Sequence, residues 1–222
     1  MASPTPASST DWAAFIRANT HLLAPPLVPE IVLHLAEESL PIWRRTEEEL
    51  GAMNVPPPYW AFAWAGGQAL ARYLLDETAE VAGRRVLDLG AGSGLTAIAA
   101  AKAGAVDVIA ADIDSVALEA IALNAAANGV VVHVTADDLL AAPPAGFDVV
   151  IVGDLFYERE LADRVLAFVE HAVLQGSAVL IGDPQRSYFP RNRFEKLREY
   201  RVPVTHELED SEFKLTAVWR AG

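Results

Sequence analysis

The chain has 222 residues and a formal net charge of −13, with 30 acidic against 17 basic residues, and 52% of it is hydrophobic. That length suits one domain, or one domain with an N-terminal extension, and the apolar content suits a packed interior rather than a disordered chain. The acidic balance weighs against nucleic-acid substrates; the lack of cysteine removes disulfides, thiolate metal sites and cysteine nucleophiles; no apolar run reaches the about 18 residues of a membrane span.

Residues 1–10 are rich in Ser, Thr, Pro and Ala and are expected to be a disordered tail. They carry neither a basic nor an apolar targeting segment, so a cytoplasmic location is expected. Residues 11–23 read as a short helix with Trp12, Phe15 and Ile16 on one face. Residues 30–50 read as one or two more helical segments, opened by Pro29 and interrupted by Pro41. A proline-rich link at 56–58 precedes an aromatic cluster of Tyr59, Trp60, Phe62 and Trp64. Residues 66–76 resume helix on a stripe of Leu70, Leu74 and Leu75. Residues 11–80 are thus expected to form a helical and aromatic N-terminal segment ahead of an α/β domain at 81–222.

Within that domain, strands are predicted at 86–89, 106–111, 130–134, 147–152 and 178–181. Helices at 95–103, 116–127, 161–174 and 194–200 alternate with them, and strands at 202–206 and 213–219 close the chain. Such alternation describes a mostly parallel sheet with helices on both faces. The run at 147–152 is almost wholly apolar, as a central buried strand should be.

Chemistry concentrates at the ends of these strands. Val86-Leu87-Asp88-Leu89-Gly90-Ala91-Gly92-Ser93-Gly94 runs from a strand into a turn with glycine at every second position, and then into a helix. Missing side chains there let the backbone approach a ligand, and the helix N-terminus supplies amides. A dinucleotide fingerprint wants its third glycine where this chain has Leu95. The spacing instead resembles motif I of class I S-adenosylmethionine (SAM) methyltransferases, which implies that Asp88, Gly90, Gly92 and Gly94 bind the cofactor. Asp112, about 20 residues on at the end of the second strand, is placed to accept the hydroxyls of a ribose; the alternative is a helix cap, for which Asp114 stands better.

Asp137 and Asp138 follow the third strand, where methyltransferases of this class commonly put a polar residue on the adenine amino group. Asp138 aligns better, and a capped turn before Leu139 and Leu140 is the other reading. The fourth strand ends in Gly153-Asp154-Leu155-Phe156-Tyr157. This edge faces the ligand crevice of an open α/β sheet, and a carboxylate beside an aromatic ring accepts a cation. The alternative makes Asp154 a helix cap with Phe156 and Tyr157 packed on it. Trp60 and Trp64 either wall the ligand or fill the core, with Gln68 offering an amide. The five histidines show no ligand spacing, so no metal is expected.

Five stretches recur in order: 57–70 (with Trp64-Ala65-Gly66-Gly67-Gln68), 86–100, 111–124, 153–157 and 180–184. Together they resemble the electron transfer flavoprotein β-subunit lysine methyltransferases, seven-β-strand enzymes with an (Asp/Glu)-x-x-(Tyr/Phe) motif after strand four. Ala65 departs from the proline that relatives often carry. The resemblance implies a Rossmann-like class I fold with strand order 3-2-1-4-5-7-6 and SAM as cofactor. It implies Trp64 and Gln68 near that cofactor, and Asp154 and Tyr157 at the reacting amine. The substrate would be a lysine of the flavoprotein β subunit, with a ribosomal protein as a second target, and a monomer without nucleic-acid or membrane partners is expected. A carboxylate raises an amine's pKa, so Asp154 is expected to hold and aim the ammonium rather than deprotonate it. A small-molecule N-methyltransferase of the nicotinamide type is the competing reading.

Overall fold

The computed structural model describes residues 11–36, 57–142, 144–203 and 212–222. The expected tail at 1–10 and the expected helical residues 37–50 lie outside them.

The described N-terminal residues make helix α1 (Trp12–Asn19), strand β1 (His21–Leu23) and strand β2 (Leu33–Leu35). Asp11 caps α1 by accepting from the Ala14 amide at 3.0 Å. The expected helix over 11–23 therefore stops at Asn19, and part of the expected helical stretch over 30–50 is strand: β1 and β2 pair antiparallel, Leu23 facing Leu33. Alternation explains the correction: Leu33 and Leu35 are buried with His34 between them, a period of two rather than 3.6.

Helix α2 (Ala65–Asp76) leads into the main sheet. Its strands are β3 (Arg85–Leu89), β4 (Asp107–Ala111), β5 (His133–Thr135), β6 (Val149–Gly153), β7 (Ala178–Asp183), β8 (Glu195–Pro203) and β9 (Phe213–Ala221), in the order β5-β4-β3-β6-β7-β9-β8. Five are parallel; β9 runs antiparallel to β7 and β8 antiparallel to β9. Helices α3 (Leu95–Lys102), α4 (Ser115–Ala127) and α5 (Arg159–Leu174) are the crossovers. This is the expected Rossmann-like α/β sheet of seven strands, in the expected order.

Both faces of the sheet are covered, which is why its central strands read as unbroken apolar runs. Val149 and Ile151 of β6 pack with α2 and α3, whereas Val150 and Val152 pack with α5. A third cluster joins Ile16 of α1 and Trp60 to Val116, Ala117 and Ala120 of α4. No helix of the described residues is long and apolar enough to cross a membrane.

The helix expected at 194–200 is strand β8. Glu195, Lys196, Leu197, Arg198 and Glu199 are good helix formers, but pairing with β9 overrides that preference. The register slips between Lys196 and Arg198, leaving Leu197 as a bulge. Leu197 and Tyr200 both pack on the core, so a bulged strand imitates the three-residue spacing of a helix face.

Candidate active site

Strands β4 and β6 flank β3 on opposite sides and are reached by crossovers in opposite directions. Such a switch point opens a crevice at the carboxyl ends of the strands. A cleft of about 330 Å³ lies there, at the small end of ligand-sized pockets. Gly90 and Gly92 form part of its floor, and Asp112, Ile113, Asp137, Asp138, Leu139 and Leu140 part of its wall; Trp60 and Tyr157 also line it.

Each glycine of the turn has left-handed backbone, with φ of 65° at Gly90, 52° at Gly92 and 78° at Gly94. At Gly90 a side chain would also strike Leu155, its Cβ falling 2.8 Å from that residue's nearest carbon. Gly94 is off the cleft; it starts α3 and lies against Ile121, where a Cβ would approach to 3.2 Å. Asp88 is likewise off the cleft. Its carboxylate is buried beneath the first turn of α3 and accepts from Thr96 Oγ1 at 2.5 Å. Burial pushes its pKa up to about 7.

Asp112 stands on the wall. One of its oxygens accepts from the Gly92 amide at 2.8 Å and the other from the Asp114 amide at 3.0 Å. It thereby ties the glycine turn to the end of β4, and burial raises its pKa. The helix cap is Asp114, which accepts from the Val116 amide at 2.8 Å. Ile113 between them is 76% exposed, an apolar side chain presented to the cleft rather than to the core. Asp138 both lines the cleft and caps a turn, accepting from the Leu140 amide at 3.1 Å and from Arg164 at 2.7 Å. A glycine floor, a carboxylate acceptor and an apolar slot fit the backbone approach, ribose hydroxyls and base of a nucleoside, so these residues suit SAM.

Of the two tryptophans, Trp60 lines the cleft and Trp64 does not. Trp64 donates from Nε1 to the Tyr59 carbonyl at 2.9 Å and lies tilted against the rings of Tyr59 and Phe62. Gln68 is buried away from the cleft with both ends of its amide engaged: the oxygen accepts from the Leu27 amide and the nitrogen donates to the Ala63 carbonyl.

Beyond the cleft wall, β6 is followed directly by Asp154, which is only 8% exposed and has a φ of 60°. Its Oδ2 accepts from the Gly67 amide at 2.8 Å, and its Oδ1 faces the Arg186 guanidinium at 2.7 Å. It does not cap α5, whose first turn is preceded by Glu158. Phe156 points into the core against Phe189 and Phe194, whereas Tyr157 is 43% exposed, its ring 5.9 Å from that of Tyr59. Burial, then the neighbouring Tyr59 and Glu158, raise the Tyr157 pKa. Next to Asp154, Asp183 is fully buried; Oδ1 accepts from the Arg186 amide at 2.7 Å, and Oδ2 has no hydrogen-bond partner among the described residues. Burial pushes it up to about 7. The sequence reading gave no role to Ile113, Asp183 or Arg186. Asp183 lay within the recurring stretch 180–184, at the end of an apolar strand and before a proline, and nothing in the sequence pointed to Arg186.

Residues 69–178 match the family model described as ribosomal protein L11 methyltransferase (PrmA). The chain is 39% identical over 213 residues to the electron transfer flavoprotein beta subunit lysine methyltransferase of Mus musculus, covering 93% of this chain and 82% of that protein. It is 37% identical over 220 residues to the protein of the same name from Danio rerio, covering 96% and 84%. Among solved structures, magnesium protoporphyrin IX methyltransferase from Synechocystis superposes with a TM-score of 0.51 at 16% identity, over 70% of this chain and 78% of that one, a likeness of fold. With a fold, a nucleoside-shaped cleft and relatives that agree, the chain is a SAM-dependent protein methyltransferase and belongs to the electron transfer flavoprotein beta subunit lysine methyltransferase family.

Proposed function

We propose that this enzyme methylates a lysine of the electron transfer flavoprotein β subunit, with Asp154 aiming the amine and Asp112 holding the cofactor's ribose. The observation that carries the site assignment is Asp154 itself. It is a buried carboxylate in a strained backbone conformation at the carboxyl end of β6, reached across Gly66 and Gly67 and flanked by Tyr157. The substrate is the one named for the relatives from mouse and zebrafish.

Bound SAM supplies an activated methyl group, which leaves the protein the task of aligning a neutral amine at roughly 3 Å. A free lysine near pH 7.5 is neutral about one time in a thousand, a cost of about 4 kcal/mol. Gly90 and Gly92 cradle the cofactor, Asp112 accepts its ribose hydroxyls, and Asp138 is offered to the adenine amino group. Asp154 takes an N–H of the lysine and fixes the direction of its lone pair. Tyr157 walls the lysine stem and excludes water. The proton released passes to solvent. An acidic enzyme favours approach by a lysine-bearing surface, and we place its action in the cytoplasm, as a monomer, on protein rather than nucleic acid.

The test is the intact mass of purified flavoprotein after incubation with the enzyme and SAM. Gains of about 14 Da per methyl on the β subunit are expected. Asp154→Asn should cut transfer by about 100-fold while sparing SAM binding. Absence of any mass gain with SAM binding intact would remove the proposed partner.

A further inference from the structure

The carboxylate assigned to the amine already has a cation on it. Arg186 brings Nε and Nη2 to 3.1 and 2.7 Å from Asp154 Oδ1, leaving Oδ2 to the Gly67 amide. The guanidinium is well anchored. It lies over the Trp64 ring, 5.7 Å from the centroid, its backbone amide is bound to Asp183, and its side chain is only 20% exposed. The backbone points the same way. Among the described residues, the non-glycine positions with positive φ are Asp154 at 60° and Gln185 at 63°, one residue before Arg186. Such strain costs on the order of 1–3 kcal/mol each and persists where the surroundings dictate it. Here the two strained turns follow the adjacent strands β6 and β7 and bring one aspartate and one arginine together.

We infer that Arg186 is a positioning residue that stays on Asp154 during turnover and offsets the charge of that carboxylate, so that the site selects the neutral lysine amine over the ammonium. This rests on the reading of Asp154 as the group facing the amine. A lone buried carboxylate would stabilise the ammonium and hold the lysine in its unreactive form. With the guanidinium on Oδ1 the Asp154 charge is already matched, and Oδ2 keeps acceptor capacity for a neutral N–H. Asp183, the other carboxyl beside the pair, holds the Arg186 backbone amide and is kept protonated at lower pH by its burial, and it is retained in every variant compared below. A protonated lysine approaching Arg186 meets a like charge in poorly solvated surroundings, and its proton passes to water as the amine is seated. Trp64 acquires a role that cofactor binding does not give it, as the platform under the guanidinium.

The experiment is the pH dependence of single-turnover methylation of the flavoprotein β subunit at saturating SAM, for the native enzyme and for Arg186→Gln, Arg186→Met and Arg186→Lys. Binding of SAM to each variant is measured alongside. Loss of the charge in Arg186→Gln should move the midpoint of the rising limb upward by about 1 unit, lowering the rate near neutrality about tenfold and restoring it at high pH. Arg186→Met, which keeps the apolar stem on Trp64, should do the same if the glutamine variant folds poorly. Arg186→Lys keeps the cation and should leave the midpoint close to native. A rate lost evenly at every pH, with the midpoint unmoved, would make Arg186 purely structural and overturn the inference. A faster reaction in Arg186→Gln at neutral pH would make the arginine a latch that lysine displaces, and would overturn it too. Asp154→Asn separates the layers. Native-like transfer by that variant, or no transfer by the native enzyme, defeats the underlying assignment; an inactive Asp154→Asn with an unshifted Arg186→Gln defeats the present inference alone.

Discussion

Asp112 is half-buried and Asp183 fully buried, and burial serves the two acids differently. Asp112, the acceptor proposed for the ribose hydroxyls, sits on the cleft wall with two backbone amides on its oxygens. Replacing it with alanine should weaken SAM binding by about 10–100-fold, the usual effect of losing hydrogen bonds to a charged group. Titration calorimetry checks this, and an unchanged affinity would move the ribose elsewhere. Asp183 has an oxygen with no hydrogen-bond partner among the described residues and a pKa raised from 3.8 to about 7. A carboxyl whose folded pKa lies above its unfolded value holds a proton that the unfolded chain releases. Its contribution to stability is therefore full below about pH 4 and is lost as pH rises through about 7. Asp183→Asn fixes the neutral form, so its stability relative to the native enzyme should grow by on the order of 2 kcal/mol between pH 5 and pH 8. Thermal melts at both pH values decide, and a difference that does not change with pH refutes the assignment.

At the scale of elements, helix α2 lies directly on β7, and two glycines make that contact. A Cβ on Gly66 would stand 2.2 Å from the Gly182 carbonyl oxygen, and one on Gly182 would stand 2.1 Å from the Gly66 carbonyl oxygen. The added Cβ of Gly66 would also lie 2.6 Å from Asp154 Oδ2, so the same closeness that packs the helix shapes the proposed amine site. Gly66→Ala should destabilise by about 1–3 kcal/mol and depress methyl transfer further than stability alone explains. Gly67→Ala has its nearest neighbour at 3.9 Å and keeps its amide on Asp154, so it should be tolerated. Equal behaviour of the two variants, in melts and in transfer rate, would contradict this contact. Strand β8 shows where element-level reading failed: its helix-forming residues and its bulge at Leu197 supplied a false period, and only β9 alongside resolves it.

For the molecule as a whole, Asn124 joins parts that lie far apart in sequence. It is fully buried, accepts from the His34 amide of β2 at 2.7 Å, and donates to the Ser93 carbonyl of the glycine turn at 2.8 Å. Helix α4 thus holds both the N-terminal strands and the cofactor cradle. Asn124→Ala leaves two buried backbone groups unpaired and should cost about 2–4 kcal/mol, with SAM affinity falling as the cradle loosens. Denaturant melts with and without SAM would show it; a change within about 0.5 kcal/mol would mean the tie is redundant.

Local chemistry is what a sequence records well. The glycine turn, the acidic residue about 20 positions on and the alternation of apolar runs each rest on neighbours in the chain, so the parallel part of the sheet and the glycine turn were legible, while the strand order came with the family resemblance. Sequence distance limited the rest. Asp88 and Gly94 share a motif with Gly90 and Gly92 yet serve helix α3, because alternate residues of a strand and successive turns of a loop face different ways. Trp60 rather than Trp64 lines the cleft, Trp64 being turned to the Tyr59 carbonyl and the Arg186 guanidinium. Arg186 reaches Asp154 across 32 positions, and no periodicity announces such a pair. Residue order determined the fold and its glycine turn; tertiary structure alone decided the charge at the proposed amine site, because that charge is set by which side chains two adjacent strand ends bring together.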